Sequence, residues 1–209
     1  RVLLLGEGNH FCAGGDVKSV HLSGPFSKLK QEFFSKEYSL NLQIKNFPKP
    51  YLSIWKGVVM GGGVGLSIYG DYRIATDSTK FAMPEASIGF FPDVGGSFFL
   101  ARLENNLGKY LGLTGEIVQG KDLLNFNLAT HYCPENKINN LISQFIADGS
   151  ITNYEIENSS FFTDEKLDFI DKNFSGDIHE IFNNIQNLNN QDGLLEKLQK
   201  KCPMSLAVT

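Results

Sequence analysis

The chain has 209 residues, which corresponds to one large domain or to one domain with a small appendage. Hydrophobic residues make up 42% of it and charged residues 20%, an ordinary soluble globular composition. The net charge of −4 gives no basic footprint and argues against nucleic acid as a partner, although a local basic patch for an anionic ligand such as a nucleotide stays open. No apolar run approaches the length of a membrane span, so no membrane partner is expected either.

The first part of the chain alternates strands and helices. Four strands are predicted from apolar runs that end at turn residues, at 2–5, 51–55, 72–75 and 80–83. The first two are continuous apolar runs, which favours strands buried on both faces. Between them, Pro25 opens a helical stretch whose apolar residues recur on a helical period as far as Ile44, and Pro48 and Pro50 end it.

Helices predominate in the second part of the chain. Helices are predicted at Ser97 to Leu103 and at Leu107 to Leu113, with Gly115 as a stop. From Asn136 onward the sequence is helical and polar, and no strand is expected after Thr130. The order of elements therefore predicts an α/β core in residues 1–130, which carries the functional site, and a helical region in residues 131–209 that is incomplete at its C-terminus.

The cysteines and histidines point away from a metal site. The three cysteines, Cys12, Cys133 and Cys202, are widely spaced and odd in number. This is typical of reduced thiols in an intracellular protein rather than of a disulfide framework or a zinc site. The four histidines are scattered and form no ligand set, so no metal is expected.

Two glycine turns are the strongest functional signal. Residues 13–16, Ala-Gly-Gly-Asp, and residues 61–63, Gly-Gly-Gly, each follow a predicted strand. Glycine lets backbone N–H groups approach a ligand in conformations that other residues avoid, and a helix after the second turn adds free N–H groups and a positive dipole end. Two such groups that converge on one point form an oxyanion hole, in which one donor is worth about 10²–10³ in rate. The alternative is that these glycines only permit tight turns or close helix packing.

Two carboxylates follow the glycine turns. Glu85 comes directly after a predicted strand, and Asp93 lies in an apolar loop. Apolar surroundings raise the pKa of a carboxylate, which suits a group that must take and return a proton near neutral pH. It is equally open that Asp93 caps the helix at Gly95 or Gly96 and that Glu85 is a surface residue.

Other candidates carry weaker signals. His10 precedes the first turn without an obvious partner, Cys12 is expected in the core rather than as a nucleophile, and Asp16 is expected to be a turn or cap residue. Glu37 lies on the helix after the first turn, from which a side chain could reach a pocket. A solvated helix face is the default interpretation of that residue.

Three segments, 11–16, 60–67 and 81–85, resemble the crotonase (enoyl-CoA hydratase/isomerase) superfamily. Residues 88–96 narrow the resemblance to the 3-hydroxyisobutyryl-CoA hydrolases within it. The similarity runs from about residue 2 to residue 130 and continues more loosely to the C-terminus. It implies a ClpP/crotonase-like fold, a spiral core of repeated ββα units that is followed by a helical C-terminal region.

The resemblance also implies roles for individual residues. Gly15 and Gly62 would donate the oxyanion-hole N–H groups, Glu85 would be the catalytic carboxylate, and Asp93 would be a second acid near the acyl chain. Further substrate-binding positions are implied, at Glu37, Gly14, Asp16 and Gly61. The implied substrate is 3-hydroxyisobutyryl-CoA, an intermediate of valine breakdown, and the products are the free hydroxy acid and CoA without a separate cofactor. The resemblance implies a mitochondrial location and leaves a homo-oligomer open.

One departure from the hydratases bears on the chemistry. Enoyl-CoA hydratases pair two glutamates, and the position of the first is Gly65 here, which has no carboxylate. Hydrolysis needs only a polarised carbonyl and a base or nucleophile, which Glu85 can supply directly or through water. A hydratase or isomerase and a non-catalytic subunit with this fold are the alternatives.

The ends of the sequence depart from the family as well. The chain shows no signal or transit peptide and opens at Arg1 in what looks like the middle of a strand. The family's first strand and its last helices are therefore expected to be missing, so that this sequence would be a fragment. In crotonases those helices close the site, cover CoA or support oligomers.

Overall fold

The computed structural model describes residues 1–157, 160–188 and 193–209. The chain divides into two compact units, each built from two stretches of sequence. The first unit comprises residues 1–81 and 118–160, and the second comprises residues 82–117 and 161–209. The predicted boundary at residue 130 follows the order of secondary structure rather than this packing, and it stays a prediction.

The strands form two sheets in the described residues. In chain order they are β1 (Val2–Leu5), β2 (Tyr51–Trp55), β3 (Val58–Met60), β4 (Tyr72–Ala75), β5 (Lys80–Ala82), β6 (Val118–Gln119) and β7 (His131–Tyr132). A parallel four-stranded sheet has the order β1-β2-β4-β7. A three-stranded sheet has the order β3-β5-β6, and its β5 and β6 are antiparallel.

The four predicted strands are confirmed, but the prediction that β1 is buried on both faces is wrong. All five residues of β2 are buried, as expected of a strand between two neighbours. By contrast, β1 lies at the edge of the sheet, and Leu5 at its end is 48% exposed. The expectation of no strand after Thr130 is also wrong, since β7 pairs with β4. Two residues are too few to leave a period in the sequence.

The helices of the described residues, including two 3₁₀ helices, follow in chain order. They are α1 (Val17–Leu22), α2 (Lys28–Lys45), α3 (Gly62–Gly65), the 3₁₀ helix Glu85–Ile88, α4 (Gly96–Leu100), α5 (Leu107–Thr114), α6 (Asp122–Asn125), the 3₁₀ helix Glu135–Lys137, α7 (Ile138–Ala147), α8 (Asp164–Asn173), α9 (Ile178–Gln186), α10 (Leu194–Gln199) and α11 (Pro203–Val208). None of the helices in the described parts of the chain combines the length and apolar character that crossing a bilayer requires.

Local sequence signals explain where the main helices begin and end. The Ser27 side chain accepts from the backbone N–H of Leu29 and caps α2, so this helix begins at Lys28 and not at Pro25 as predicted. Gly115 has φ 66° and ends α5, because glycine adopts the left-handed conformation without a steric penalty. The short helix α1 was not predicted. Its six residues depend on the Asp16 cap rather than on a long apolar face.

The core of the first unit lies between the four-stranded sheet and α7. Leu52 and Ile54 alternate on β2 and so point to the same face, where Ile74 of β4 lies opposite Ile54. Leu141 and Phe145, one helical turn apart on α7, pack against this face. All three cysteines of the chain are free, as predicted, and Cys133 belongs to this core.

The second unit packs around α5. A Cβ atom placed on Gly108 would lie 1.9 Å from the carbonyl oxygen of Leu100, so glycine permits α4 and α5 to touch through their backbones. On another side of α5, the Tyr110 ring meets the rings of Phe162 and Phe174 edge to face, with centroids 6.3 and 4.9 Å apart. This geometry is favourable for aromatic pairs.

Replacement of Leu141 by alanine should destabilise the first unit. Leu141 is fully buried in the core, and Leu→Ala changes at such sites cost about 2–5 kcal/mol because they remove apolar contacts and leave a cavity. Ile146 on the same helix is 64% exposed and provides the control. Urea denaturation should show a large fall in the free energy of unfolding for Leu141→Ala and about 0.5 kcal/mol or less for Ile146→Ala. Equal losses in the two variants would contradict this packing.

Candidate active site

A parallel pairing between the segment at Cys12 and strand β3 brings the two glycine turns together. The backbone N–H of Cys12 donates to the carbonyl of Val58, and the N–H of Met60 donates to the carbonyl of Cys12, each at 3.0 Å. These bonds form a parallel bridge between Cys12 and Val59. Because the two segments run in the same direction, the residues that follow them emerge at the same end. The turns are therefore neighbours although they are far apart in sequence.

The backbones of the two turns pack closely against each other. A Cβ atom on Gly62 would lie 3.2 Å from the backbone nitrogen of Gly15, and one on Gly14 would lie 3.7 Å from the nitrogen of Gly62. A Cβ atom on Gly63 would lie 2.3 Å from the carbonyl oxygen of Cys12. Gly61 precedes α3 as its N-cap residue with φ 53° and ψ −123°, a conformation that glycine tolerates best. Close packing is thus one reason for glycine at these positions.

The same geometry leaves two N–H groups without a backbone acceptor. Within residues 1–157, 160–188 and 193–209, the N–H groups of Gly15 and Gly62 donate to no backbone carbonyl. Gly62 is the first residue of α3, so its N–H has no carbonyl in the preceding turn. Two neighbouring backbone donors are the elements of an oxyanion hole. Packing alone does not require that these donors lie side by side.

Both turns line a cavity of about 410 Å³ whose surface is mainly apolar. This volume lies within the range of small-molecule sites, about 300–1,000 Å³. Gly14, Gly15 and Gly62 line one side of the cavity, and α2 supplies the other. Its lining residues from α2 are Leu29, Glu32, Phe33, Lys36, Glu37 and Leu40. The cavity therefore lies within the first unit.

Two side chains of α2 lie directly over the glycines. A Cβ atom on Gly15 would lie 2.3 Å from Cζ of Phe33, and one on Gly62 would lie 2.6 Å from Oε1 of Glu37. Glu37 is half-buried and lines the cavity, so its default interpretation as a solvated residue is wrong. The role of Phe33 was missed, because its apolar character predicts burial but not which residue its ring covers.

The structure also places three other residues near the first turn. The Asp16 carboxylate accepts from the backbone N–H of Ser19 at 3.0 Å and from its hydroxyl at 2.6 Å. The hydroxyl bond, with the backbone bond, lowers the pKa of Asp16, and the predicted cap is confirmed. His10 does have a partner, since its Nδ1 accepts from the N–H of Val58 at 3.3 Å. Cys12 is half-buried and lines the cavity, so the expectation of a core position is wrong.

Glu85 lies in the second unit and is not a surface residue. It is 5% exposed and begins the 3₁₀ helix after Pro84. The end of α5 packs against this point, because a Cβ atom on Gly115 would lie 3.1 Å from Cα of Pro84. The surface alternative for Glu85 is therefore wrong. Burial of a carboxylate is costly unless it has a partner or a function.

Asp93 lies in a loop of unusual backbone conformation. Its carbonyl accepts from the N–H of Gly96 at 2.6 Å, but Gly95 occupies the cap position of α4. Val94 is buried with φ 44°, a conformation that is rare for a β-branched residue. Such strain costs about 1–3 kcal/mol and is concentrated at functional sites. It favours a functional role for this loop over a purely connecting one.

The predicted site residues fall into two groups. The four glycines at 14, 15, 61 and 62 lie with Asp16 and Glu37 in the first unit, whereas Glu85 and Asp93 belong to the second. In the described parts of the chain, no three His, Cys, Asp or Glu side chains are grouped as metal ligands. The catalytic and substrate-binding roles of these residues stay predictions.

Known proteins resemble the entire chain. Residues 1–209 match the sequence model of a family described as enoyl-CoA hydratase/isomerase. The mitochondrial 3-hydroxyisobutyryl-CoA hydrolase of Danio rerio is 38% identical over 227 residues, which cover 100% of this chain and 59% of the relative. The Homo sapiens protein of the same name is 39% identical over 224 residues, covering 97% and 57%. The chain thus spans about three fifths of the length of these relatives.

Solved structures agree with the sequence relatives. A carnitinyl-CoA dehydratase from Mycobacterium thermoresistibile is similar with a TM-score of 0.89 and 36% identity, over 100% of this chain and 64% of that protein. An enoyl-CoA hydratase from Rhodobacter sphaeroides gives a TM-score of 0.88 and 32% identity, over 96% and 60%.

The contact between Gly15 and Phe33 should appear as coupling between two mutations. Gly15 does not have a positive φ, so alanine is strained there only by the Phe33 ring. Gly15→Ala should cost about 1–3 kcal/mol as an overpacked site. In a Phe33→Ala background the same change should cost much less, because the clashing ring is absent. A double-mutant cycle measured by urea denaturation tests this, and strictly additive losses would show that the ring does not cover Gly15.

Proposed function

Since this chain belongs to the enoyl-CoA hydratase/isomerase family, we propose that the protein hydrolyses the thioester of 3-hydroxyisobutyryl-CoA. The name of its relatives supports this substrate, and the paired-glycine cavity supports stabilisation of the thioester carbonyl oxygen. The chain spans 59% of the Danio rerio relative, so the proposal concerns the whole protein. The products are 3-hydroxyisobutyrate and CoA, and no separate cofactor takes part. The proposed reaction is a step of valine breakdown.

The backbone N–H groups of Gly15 and Gly62 are the observation that carries the proposal. In a thioester hydrolysis, negative charge develops on the carbonyl oxygen as the tetrahedral intermediate forms. Donors at Gly15 and Gly62 that are already in place stabilise this charge without reorganisation, and each is worth about 10²–10³ in rate. The apolar lining of the cavity strengthens these hydrogen bonds, because water competes less for them. Gly14, Gly61, Asp16 and Glu37 are proposed to contact the substrate around this point.

Glu85 is proposed to supply the base or the nucleophile. As a general base it takes a proton from water while the water oxygen attacks the carbonyl carbon, and the C–S bond then breaks to release CoA. As a nucleophile it forms an anhydride and releases the thiolate, and water then opens the anhydride. Single-turnover hydrolysis in H₂¹⁸O tests the second route, since ¹⁸O in the Glu85 side chain requires an anhydride.

Gly65 favours hydrolysis over hydration. Hydratases of this family are expected to use a carboxylate at this position together with the one at Glu85. Gly65 is buried within α3 and offers no side chain for this purpose. A hydratase is thus the second candidate, and conversion of crotonyl-CoA without thiol release would favour it. Failure to turn over any acyl-CoA would favour a non-catalytic subunit.

Asp93 is proposed to recognise the acyl hydroxyl. A carboxylate accepts hydrogen bonds, and the 3-hydroxyl of the substrate can donate one. The strained backbone at Val94 would then hold Asp93 in position. The mitochondrial names of the relatives support a mitochondrial location, and a homo-oligomer stays a prediction.

Glu85→Gln should remove most of the activity. Glutamine keeps the size of the side chain but cannot accept a proton, and general acid–base catalysis contributes about 10²–10⁴ in rate. Thiol release from 3-hydroxyisobutyryl-CoA by the full-length protein should fall by about that factor in kcat. Glu104→Gln, at an exposed position of the second unit, is the matched control and should leave kcat unchanged. An unchanged rate for Glu85→Gln would remove Glu85 from the mechanism.

Asp93→Asn should change the substrate preference. The amide can turn its carbonyl to the hydroxyl but forms a weaker hydrogen bond than a carboxylate, by about 1–2 kcal/mol. The value of kcat/KM for 3-hydroxyisobutyryl-CoA should therefore fall about tenfold relative to that for isobutyryl-CoA, which lacks the hydroxyl. A parallel fall for both substrates would show that Asp93 does not read the hydroxyl.

A further inference from the structure

Lys201 is a buried cation that has no carboxylate partner among the described residues. It is 7% exposed and lies between α10 and α11 in the second unit. Its ammonium donates to the hydroxyl of Ser87 at 2.6 Å. No carboxylate of the described residues lies within 4.0 Å of it. A charge in such a place is costly, because a neutral hydroxyl replaces only part of its hydration.

Lys201 borders a pocket that is rich in lysine. The pocket has a volume of about 310 Å³ and is lined by Ser87, Gly193, Glu196, Lys197, Lys200 and Lys201. Among the described residues, three lysines and one glutamate thus line the pocket. Lys197 already pairs with Glu116 at 3.3 Å, whereas neither Lys200 nor Lys201 forms an ion pair with any residue that the structure describes. The pocket consequently has an excess of positive charge inside a chain whose net charge is −4.

The electrostatics of Lys201 agree with this picture. Burial lowers the pKa of Lys201, and the nearby charge of Lys197 lowers it further. Both effects disfavour the cation when the pocket contains no anion. A negative ligand would offset both of them, since an opposite charge stabilises the ammonium form.

We propose that this lysine pocket binds a phosphate group. A phosphate carries a charge of about −2 near neutral pH and several acceptor oxygens. That charge offsets the ammonium groups of Lys200 and Lys201, and the Ser87 hydroxyl adds a neutral donor. A monocarboxylate would satisfy fewer of these donors. The group can belong to free phosphate or to the phosphate ester of a nucleotide.

Titration of the chain with inorganic phosphate tests the proposal. Binding is measured by calorimetry, and the shift in the unfolding midpoint is measured at constant ionic strength with chloride as the reference anion. Phosphate should raise the midpoint of the wild type. Lys201→Met, which keeps the length of the side chain without its charge, should bind phosphate about tenfold more weakly or worse, as expected for the loss of one charged hydrogen bond.

A second pocket variant and a control variant outside the pocket complete the test. Lys200→Gln at the exposed rim should also weaken binding, and it carries the test if Lys201→Met does not fold. Lys172→Met, at an exposed position of α8 outside the pocket, should bind phosphate like the wild type. The proposal is overturned if phosphate acts no differently from chloride, or if both pocket variants bind it as the wild type does.

Comparison of ligands identifies the source of the phosphate. Adenosine monophosphate that binds more tightly than phosphate, with adenosine itself inactive, supports a nucleotide ester. Equal affinities for adenosine monophosphate and phosphate support recognition of the phosphate group alone. Binding of adenosine as strongly as its monophosphate overturns the proposal. None of these outcomes depends on thioester hydrolysis, so they stand or fall separately from the function of Glu85.

Discussion

The parallel bridge between Cys12 and Val59 is the constraint on which the candidate site depends. Two backbone hydrogen bonds align the segment after β1 with β3, and the glycine turns that follow them are thereby side by side. Glycine suits this contact, because a methyl group on Gly62 would approach the nitrogen of Gly15 to 3.2 Å, which is tighter than most contacts. The same close approach places two N–H groups without backbone acceptors, among the described residues, on the wall of one cavity.

The second unit contains two buried ionisable residues. Glu85 and Lys201 are both buried ionisable residues, and they contribute to the same small region because Ser87, the partner of Lys201, lies on the 3₁₀ helix that Glu85 begins. Burial of an ionisable group is costly. Two buried ionisable residues in one region therefore favour a role in chemistry or ligand binding over a role in stability.

Much of the fold was predictable because its signals are local. The buried run of β2, the cap at Ser27 and the left-handed stop at Gly115 each depend on a few consecutive residues. The strands β6 and β7 escaped prediction because two residues hold no period, and their pairing depends on partners far along the chain. The family and its fold, predicted from three short motifs and the segment that follows them, are confirmed by relatives with TM-scores of 0.88–0.89.

The sequence by itself determined the family, the glycine turns and the acids that follow them, because these are runs of adjacent residues with specific chemistry. Only the tertiary structure decided which alternatives hold for single side chains. Glu85 is buried rather than at the surface, and Glu37 faces a cavity rather than solvent. Lys201 could not be singled out among the lysines of the sequence. Burial and the position of a distant partner such as Ser87 are properties of packing, and the chain has them only after it folds.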